Sequence, residues 1–464
     1  MELNSLPAVW IGKALINLSR LKGKGGSSLP GRVALSLDKQ LLSRMAARLP
    51  LGAVAVSGTN GKTTTAKMLA SIFEAAGCTV THNRAGANLI SGLTSALIAS
   101  SEWSGHVSAD VGLFEVDEAT MPLAGPELLP KTAIVTNFFR DQLDRYGELE
   151  TTVAMVGRGL AHLAPSGIAA LNADDPFVAS LGDTVPEALF YGLEDEALGL
   201  EEMRQTAESK HCRRCGYPHE YQLYYYAHLG KYHCPQCGLS RPQPKVYVDK
   251  VLAQDESGSL IHLVTPRGES EIRLQVPGLY NIYNAMAATA GAVAMGISLE
   301  AIRAGLEDTS PSFGRMERLN IQGRQVTLAL VKNPVGFNEV IRTILAGKNP
   351  HKYLMICIND LYFDGTDISW LWDVDFEQLG DQQDTIPVIV CSGLRAEDMA
   401  LRLKYAGIDV TKLRIENDLR QALELALEHV GEGELLHILP TYTAMLDMRE
   451  ILHKQGLVQA FWKV

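Results

Sequence analysis

The run Ser57-Gly58-Thr59-Asn60-Gly61-Lys62-Thr63-Thr64-Thr65 sets two glycines, a lysine and a row of hydroxyls in the order that handles a polyphosphate. Backbone N–H groups in a glycine turn at a helix N-terminus face an anion, and the helix dipole adds to them. Lys62 would supply a point charge and the backbone of 58–64 the cradle, while the Thr63 hydroxyl is a Mg²⁺ ligand. The general pattern G-x-x-x-x-G-K-[ST] is not fully met, because Val56 stands where its first glycine would be. Glu115 follows an apolar run and is the carboxylate expected to share the Mg²⁺, with Asp117 and Glu118 as substitutes. A nucleoside triphosphate is the expected ligand.

A second constellation is metallic. Cys212-x2-Cys215 and Cys234-x2-Cys237 have the spacing of a four-cysteine zinc ribbon, and a glycine (Gly216, Gly238) follows each pair. Four thiolates leave no open coordination position, so the zinc would be structural. The other cysteines, Cys78, Cys357 and Cys391, read as small buried hydrophobes.

These groups need elements to hold them. Val-rich 53–56 reads as a buried strand and 66–76 as a helix. Short apolar runs at 111–116, 132–136 and 167–171 alternate with helical segments, as in a mostly parallel sheet covered on both faces. Ligands of such sheets bind at the carboxyl ends of the strands. The pattern is interrupted at 208–241 by the cysteine-bearing insertion and resumes with strands at 245–252 and 259–265 and a helix at 281–295. Residues 311–316 look like a hinge, after which a second α/β unit has strands at 326–331, 353–358, 388–391 and 435–439. The expected division is a lead-in (1–50), an ATPase unit (51–312) and a C-terminal α/β unit (313–464). The lead-in is locally basic, with helical apolar spacing over 9–21. That stripe fits packing against the body, the simpler expectation, or approach to an anionic membrane surface.

The chain has 464 residues and a net charge of −11, which argues against sequence-independent nucleic-acid binding. It shows neither a signal-peptide layout nor an apolar run of membrane-spanning length, so the expected location is cytoplasmic.

Further motifs follow in order: Glu115-Val116-Asp117-Glu118, Thr136-Asn137-Phe138-Phe139-Arg140-Asp141-Gln142-Leu143-Asp144, Leu171-Asn172-Ala173-Asp174-Asp175-Pro176, Asn281-Ile282-Tyr283-Asn284-Ala285 and Phe313-Gly314-Arg315-Met316-Glu317-Arg318. Together with 57–64 they resemble the central and C-terminal domains of the Mur ligase family over about 50–464. The resemblance implies a Mur-ligase-like ATPase domain carrying the inserted ribbon, then a Rossmann-like C-terminal domain. It implies ATP as cofactor, and a carboxylate activated as an acyl phosphate for attack by an amine. Asp174, Asn281 and Asn284 would touch adenine or ribose. Arg315 would reach the phosphates on domain closure, and Lys332 and Asn333 would hold the activated carboxylate or its phosphate. Asn137 and 140–144 align with the motif touching a second metal and the acceptor. Gln142 replaces the usual His there, and an amide is a poorer metal ligand than imidazole.

Departures from the family refine the expectation. Only some 50 residues precede the P-loop strand, where a UDP-holding domain is usual, and the C-terminal unit carries Lys332-Asn333-Pro334-Val335-Gly336 and an aspartate-rich run with Trp370 and Trp372. This combination is similar to the amidating members of the family. It implies amidation of the α-carboxylate of D-glutamate in the lipid II stem peptide at the inner face of the cell membrane. Ammonia would come from a GatD-type glutamine amidotransferase in a heterodimer, whose Cys-His machinery an aspartate of this chain, Asp373 or else Asp367, would complete. Two alternatives stay open: an amino-acid-adding ligase of the ordinary Mur or folylpolyglutamate type, and a zinc-ribbon ATP-binding regulatory module.

Overall fold

The computed structural model describes residues 5–21, 28–83, 87–140, 149–202, 209–255, 257–310 and 314–458. A nine-stranded sheet dominates the first part. Its strands are β1 (Gly52–Ser57), β2 (Val80–His82), β3 (Val111–Glu115), β4 (Thr132–Val135), β5 (Ile168–Asn172), β6 (Ala188–Leu193), β9 (Val246–Asp255), β10 (Gly258–Thr265) and β11 (Gly268–Leu274). They lie in the order β11-β10-β9-β6-β5-β4-β1-β3-β2. Pairings from β2 to β9 are parallel, and β9-β10-β11 close the far edge as an antiparallel meander. Every residue of β3 and β4 is buried, as expected of strands covered on both faces. From β1 the chain runs out to β2 and β3 on one side, then returns to lay β4 on the other. The carboxyl end of β1 is therefore a topological switch point, where such sheets open a crevice.

A six-stranded sheet forms the second part: β12 (Arg315–Ile321), β13 (Arg324–Ala329), β14 (Tyr353–Cys357), β15 (Ile389–Ser392), β16 (Leu413–Ile415) and β17 (Leu435–Pro440), in the order β12-β13-β17-β14-β15-β16. It is parallel except for the β12-β13 hairpin. Cys357 and Cys391 are buried in adjacent strands, where burial pushes both thiols up, that of Cys391 to about 12.

The basic lead-in folds as a helix over Leu6–Leu21 and a second over Leu29–Leu37. Both pack on the helix Ile90–Ala99: a Cβ on Gly12 would lie 2.8 Å from Ile98 Cδ1, and one on Gly31 1.9 Å from the Ser91 carbonyl oxygen. Packing, the simpler expectation, is thus met on one face. The strand run 259–265 is met by β10, but the sequence reading passed over its partner β11, and also over β6, β12 and β16. Polar residues interrupt the edge strands β11, β12 and β16, as solvated strands tolerate, whereas β6 is an interior strand, Ala188–Leu193, between β5 and β9.

Candidate active site

The crevice at the end of β1 assembles residues from widely separated segments of the chain. The loop 58–61 leads into the helix Lys62–Ala75, capped by Gly61 at φ 87°. A Cβ there would meet Asn284 Oδ1 at 2.1 Å, so both conformation and space require glycine. The first amides of this helix have no intrahelical acceptor and are available to an anion. The Lys62 ammonium lies over the loop, donating to the carbonyls of Gly58 and Thr59 and to Glu118 Oε1 and Oε2, both at 3.3 Å. Burial holds the Glu118 carboxyl above its ordinary range; Lys62 opposes the shift, Asp117 adds to it and Lys332 opposes it further.

Beside the lysine, the Thr63 hydroxyl donates to Glu115 Oε2 at 2.9 Å and accepts from Arg315 Nη2 at 3.1 Å. Adjacent oxygens on an octahedron about 2.1 Å from Mg²⁺ lie about 3.0 Å apart, so this pair fits two neighbouring ligands of that ion. Burial pulls the Arg315 guanidinium down, and Glu115 opposes it. The end of β3 is fixed by Asn83, whose Oδ1 accepts from Glu115 N–H at 2.8 Å and whose Nδ2 donates to the Glu115 carbonyl at 2.7 Å. The sequence reading missed Asn83. It stands in the polar run Thr81-His82-Asn83-Arg84, where nothing in the sequence singles it out. Lysine, arginine, threonine and carboxylates arranged in this way can bind a polyphosphate with a divalent cation and neutralise charge on a transferring phosphoryl group.

Several polar residues of the motifs shape the cradle. Asn137 Oδ1 accepts from Asn60 N–H at 2.9 Å, and its carbonyl accepts from Thr59 N–H at 2.8 Å. Thr136 Oγ1 donates to the Asn60 carbonyl at 2.7 Å, and Thr59 Oγ1 accepts from Phe139 N–H at 3.1 Å. Asn284 donates to Asn281 Oδ1 at 3.0 Å and accepts from Thr65, while Asn281 donates to the Pro277 carbonyl. Thr64, half-buried, sits at the helix start. The side chain of Asn60 pairs reciprocally with Asn333, at 3.3 and 3.0 Å. Asn333 also caps the helix Pro334–Leu345, accepting from Gly336 N–H at 2.8 Å. A loop of the first sheet is thereby fastened to a helix of the second. Asp141, Gln142 and Asp144 lie outside the described residues, as do 311–313 of the expected hinge.

Asp174 has a set of partners of its own. Expected at the nucleotide, it is fully buried and locked by Arg241 Nε at 2.5 Å, Tyr283 Oη at 2.6 Å and Leu193 N–H at 2.8 Å. Desolvation raises its carboxyl and Arg241 counters. A carboxylate with these partners fastens structure.

The four cysteines do converge. Their sulfurs lie within 4.8 Å of one another, with Cys212···Cys237 at 3.6 Å and Cys215···Cys234 at 3.5 Å. Thiolates about 2.3 Å from a tetrahedral ion would be separated by about 3.8 Å, so the cluster fits one. The two knuckles are near copies. Gly216 N–H bonds the Cys212 carbonyl and Gly238 N–H the Cys234 carbonyl, at 2.8 and 2.9 Å, with φ of 74° and 73°. Between them the hairpin β7 (Glu220–Tyr226) and β8 (Leu229–His233) packs its tyrosines inward: Tyr225 Oη bonds the Leu193 carbonyl at 2.8 Å, and Tyr226 abuts Tyr283.

In the aspartate-rich run, Asp364 is buried and accepts from Thr443 N–H at 2.8 Å and the Thr443 hydroxyl at 2.5 Å. Asp360 pairs with Arg395 at 2.6 Å. Asp367 is exposed and accepts from Ser369 N–H at 2.8 Å, which with the Ser369 hydroxyl holds its carboxyl below the usual range. Asp373 is exposed at the end of the turn Ser369–Asp373. Trp372 is exposed beside Tyr405, and Trp370 packs toward Phe337.

Known proteins share this architecture. Residues 56–234 match the Mur ligase middle domain and 330–445 the MurT ligase C-terminal family. A pseudomurein peptide ligase type C from Methanothermus fervidus superposes with a TM-score of 0.69 over 89% of this chain and 80% of its own, at 22% identity. Sheet order and superposition define the Mur ligase fold. Two subunits named MurT of lipid II isoglutaminyl synthase (glutamine-hydrolyzing) are similar along nearly their whole length. The Staphylococcus aureus (strain COL) protein is 32% identical over 96% of this chain and 97% of its own. The Streptococcus pneumoniae (strain ATCC BAA-255 / R6) protein is 34% identical over 95% of each. The chain belongs to the MurT family and is a ligase.

Proposed function

We propose that this chain is the synthetase subunit of a two-subunit enzyme that amidates lipid II. The carboxylate oxygen of D-glutamate's α-carboxyl in the stem peptide attacks the γ-phosphorus of ATP, and ADP leaves. Ammonia then attacks the acyl phosphate carbon and phosphate departs, giving D-isoglutamine. The observation that carries this reading is the Lys62–Glu118 and Thr63–Glu115–Arg315 constellation at the switch point, in a chain similar end to end to subunits named for that synthesis.

In this reading, Gly58, Thr59, Asn60, Gly61 and Thr64 shape the cradle, Lys62 neutralises the β- and γ-phosphates, and Thr63 and Glu115 hold Mg²⁺. Arg315 brings charge from the second unit, and Lys332 stands near Glu118 to receive the activated carboxylate. Residues 51–312 carry the nucleotide and 313–464 close over it. Zn²⁺ in the ribbon is structural, on the four-thiolate geometry. Ammonia comes from a GatD-type glutaminase docked on the C-terminal unit. Asp373 is favoured over Asp367 to orient that enzyme's histidine, because Asp367 already serves the Ser369 turn.

The test is product mass and ATP turnover with lipid II and ammonium chloride, with and without GatD and glutamine. Conversion of –OH to –NH₂ with ammonium alone, and with glutamine only when GatD is present, is the expected result. Incorporation of an amino acid instead would favour an amino-acid-adding ligase. ATP hydrolysis with neither product would refute the substrate.

A further inference from the structure

The lead-in helix Leu6–Leu21 has two apolar faces. Ala8, Val9, Gly12 and Ile16 are buried against the neighbouring helices. The outward stripe is Pro7, Trp10, Ile11, Ala14, Asn17 and Leu18, a helical spacing with one polar member. Trp10 is 46% exposed, Ile11 41% and Leu18 48%, and Trp103 joins them at 55%. The Trp10 indole N–H donates to the Trp103 carbonyl at 2.7 Å, so its polar atom is satisfied and its apolar body faces outward. A surface helix normally turns polar residues outward; this one does not.

Charge says what covers the stripe. The first 50 residues carry eight Lys or Arg against two acids, a balance of +6 in a chain whose total is −11. Lys13 lies over the Trp103 ring at 5.8 Å. No described helix is long and apolar enough to cross a bilayer. Adjacent tryptophans, flanking aliphatics and a local basic excess fit a helix that lies in the interface of an anionic membrane.

We infer that the Trp10–Ile11–Leu18–Trp103 face docks this protein on an anionic lipid bilayer. The inference deepens the proposed function, resting on it only for why a bilayer would be visited. The buried side of the same helix packs on the helix Ile90–Ala99, and just before that helix the Ala87 and Asn88 carbonyls accept from Asn83 Nδ2 and Asp117 N–H at the end of β3. Docking there brings the nucleotide crevice near the surface that holds a lipid-linked substrate.

The experiment uses the full chain and vesicles of phosphatidylcholine alone or mixed with phosphatidylglycerol, read by co-sedimentation and tryptophan emission. Wild type should sediment with the anionic vesicles, blue-shift on binding and be released by high salt. W10S/I11S/L18S should lose partition by at least about tenfold while its melting curve stays cooperative. W10F keeps the apolar face, so it should still sediment but show a smaller blue shift. Failure of wild type to bind, undiminished binding of the triple variant, or equal salt-insensitive binding to both vesicle types would overturn the inference. So would a wild-type dimer that the triple variant converts to monomer without any vesicle binding, since a second copy would then cover the stripe. Vesicle binding is read without turnover, so it can fail while lipid II amidation stands, and the reverse.

Discussion

The nucleotide cradle and the cysteine ribbon are both built on glycine turns, yet they are held in opposite ways. Each knuckle closes on itself: the bonds that shape it run from Gly216 to Cys212 and from Gly238 to Cys234. The cradle closes on distant parts of the chain. Asn60 is fixed by Asn137 and Asn333, and Gly61 is pressed against Asn284. A local device is readable from its spacing and stands or falls with its own few residues. A device stapled by remote partners is tuned by whatever those partners do, which suits a site that must respond to the arrangement of two sheets.

The largest expected effect isolates the chemistry of the cradle. Lys62→Ala should lower ATP turnover by about 10³-fold, as loss of one transition-state donor does, measured well below the variant's own melting temperature because Lys62 is buried against Glu118. Unchanged turnover would remove the lysine from the reaction. The ribbon should behave in reverse. Cys212→Ser, or a strong chelator, should remove one metal ion per chain and lower Tm by roughly 5–10 °C. Turnover at low temperature should fall far less than in Lys62→Ala. If atomic spectroscopy finds no stoichiometric metal in wild type, the ribbon is held by its hairpin alone.

The same contrast explains what the sequence disclosed. The cysteine spacing was enough to place four sulfurs together, and the apolar run before Gly58 was enough to place the cradle at a strand end. What could not be read was which polar groups face a ligand and which face one another. Asn137, Asn281, Asn284 and Asn333 look like ligand contacts in a list of motifs. Their hydrogen bonds go to the loop, to each other or to a helix cap. Asp174 shows this most sharply, since its partner Arg241 follows the ribbon, in a segment whose position depends on the fold of the insertion. Apolar periodicity reports burial, but a buried carboxylate with a distant cation leaves no periodic trace.

The helix Pro334–Leu345 touches both regions: Asn333 at its start meets the cradle, and Arg342 near its end donates to the Tyr225 carbonyl of the ribbon hairpin at 2.9 Å. Between them Glu339 is 3% exposed, and burial pushes its carboxyl up to about 7, opposed by Arg342. The folded protein therefore holds this proton where the unfolded chain, near the ordinary value of 4.5, has lost it. The contribution to stability is fully present below the unfolded value and is lost as pH rises through about 7. Wild type should lose on the order of 3 kcal/mol between about pH 5 and pH 8 from this group. Glu339→Gln should flatten that slope in denaturant melts. An equally steep slope in the variant would assign the pH dependence elsewhere.

The smallest effect gives the finest cut between local and remote support, because Asn333 does both jobs. As a cap, its side-chain oxygen satisfies Gly336 N–H, and Asn333→Ala should cost about 1 kcal/mol for that alone. As a staple, its amide nitrogen donates to Asn60 Oδ1. Aspartate caps helices as well as asparagine but has no side-chain donor when ionised. Asn333→Asp should therefore keep the melting temperature of wild type while setting a carboxylate against the Asn60 oxygen, raising KM for ATP or lowering kcat by up to about tenfold. If both variants melt early and turn over normally, the contact between the two units only holds the fold together. If Asn333→Asp melts normally and turns over poorly, the cradle depends on the position of the second sheet, and closure of the two units is part of how the site is made.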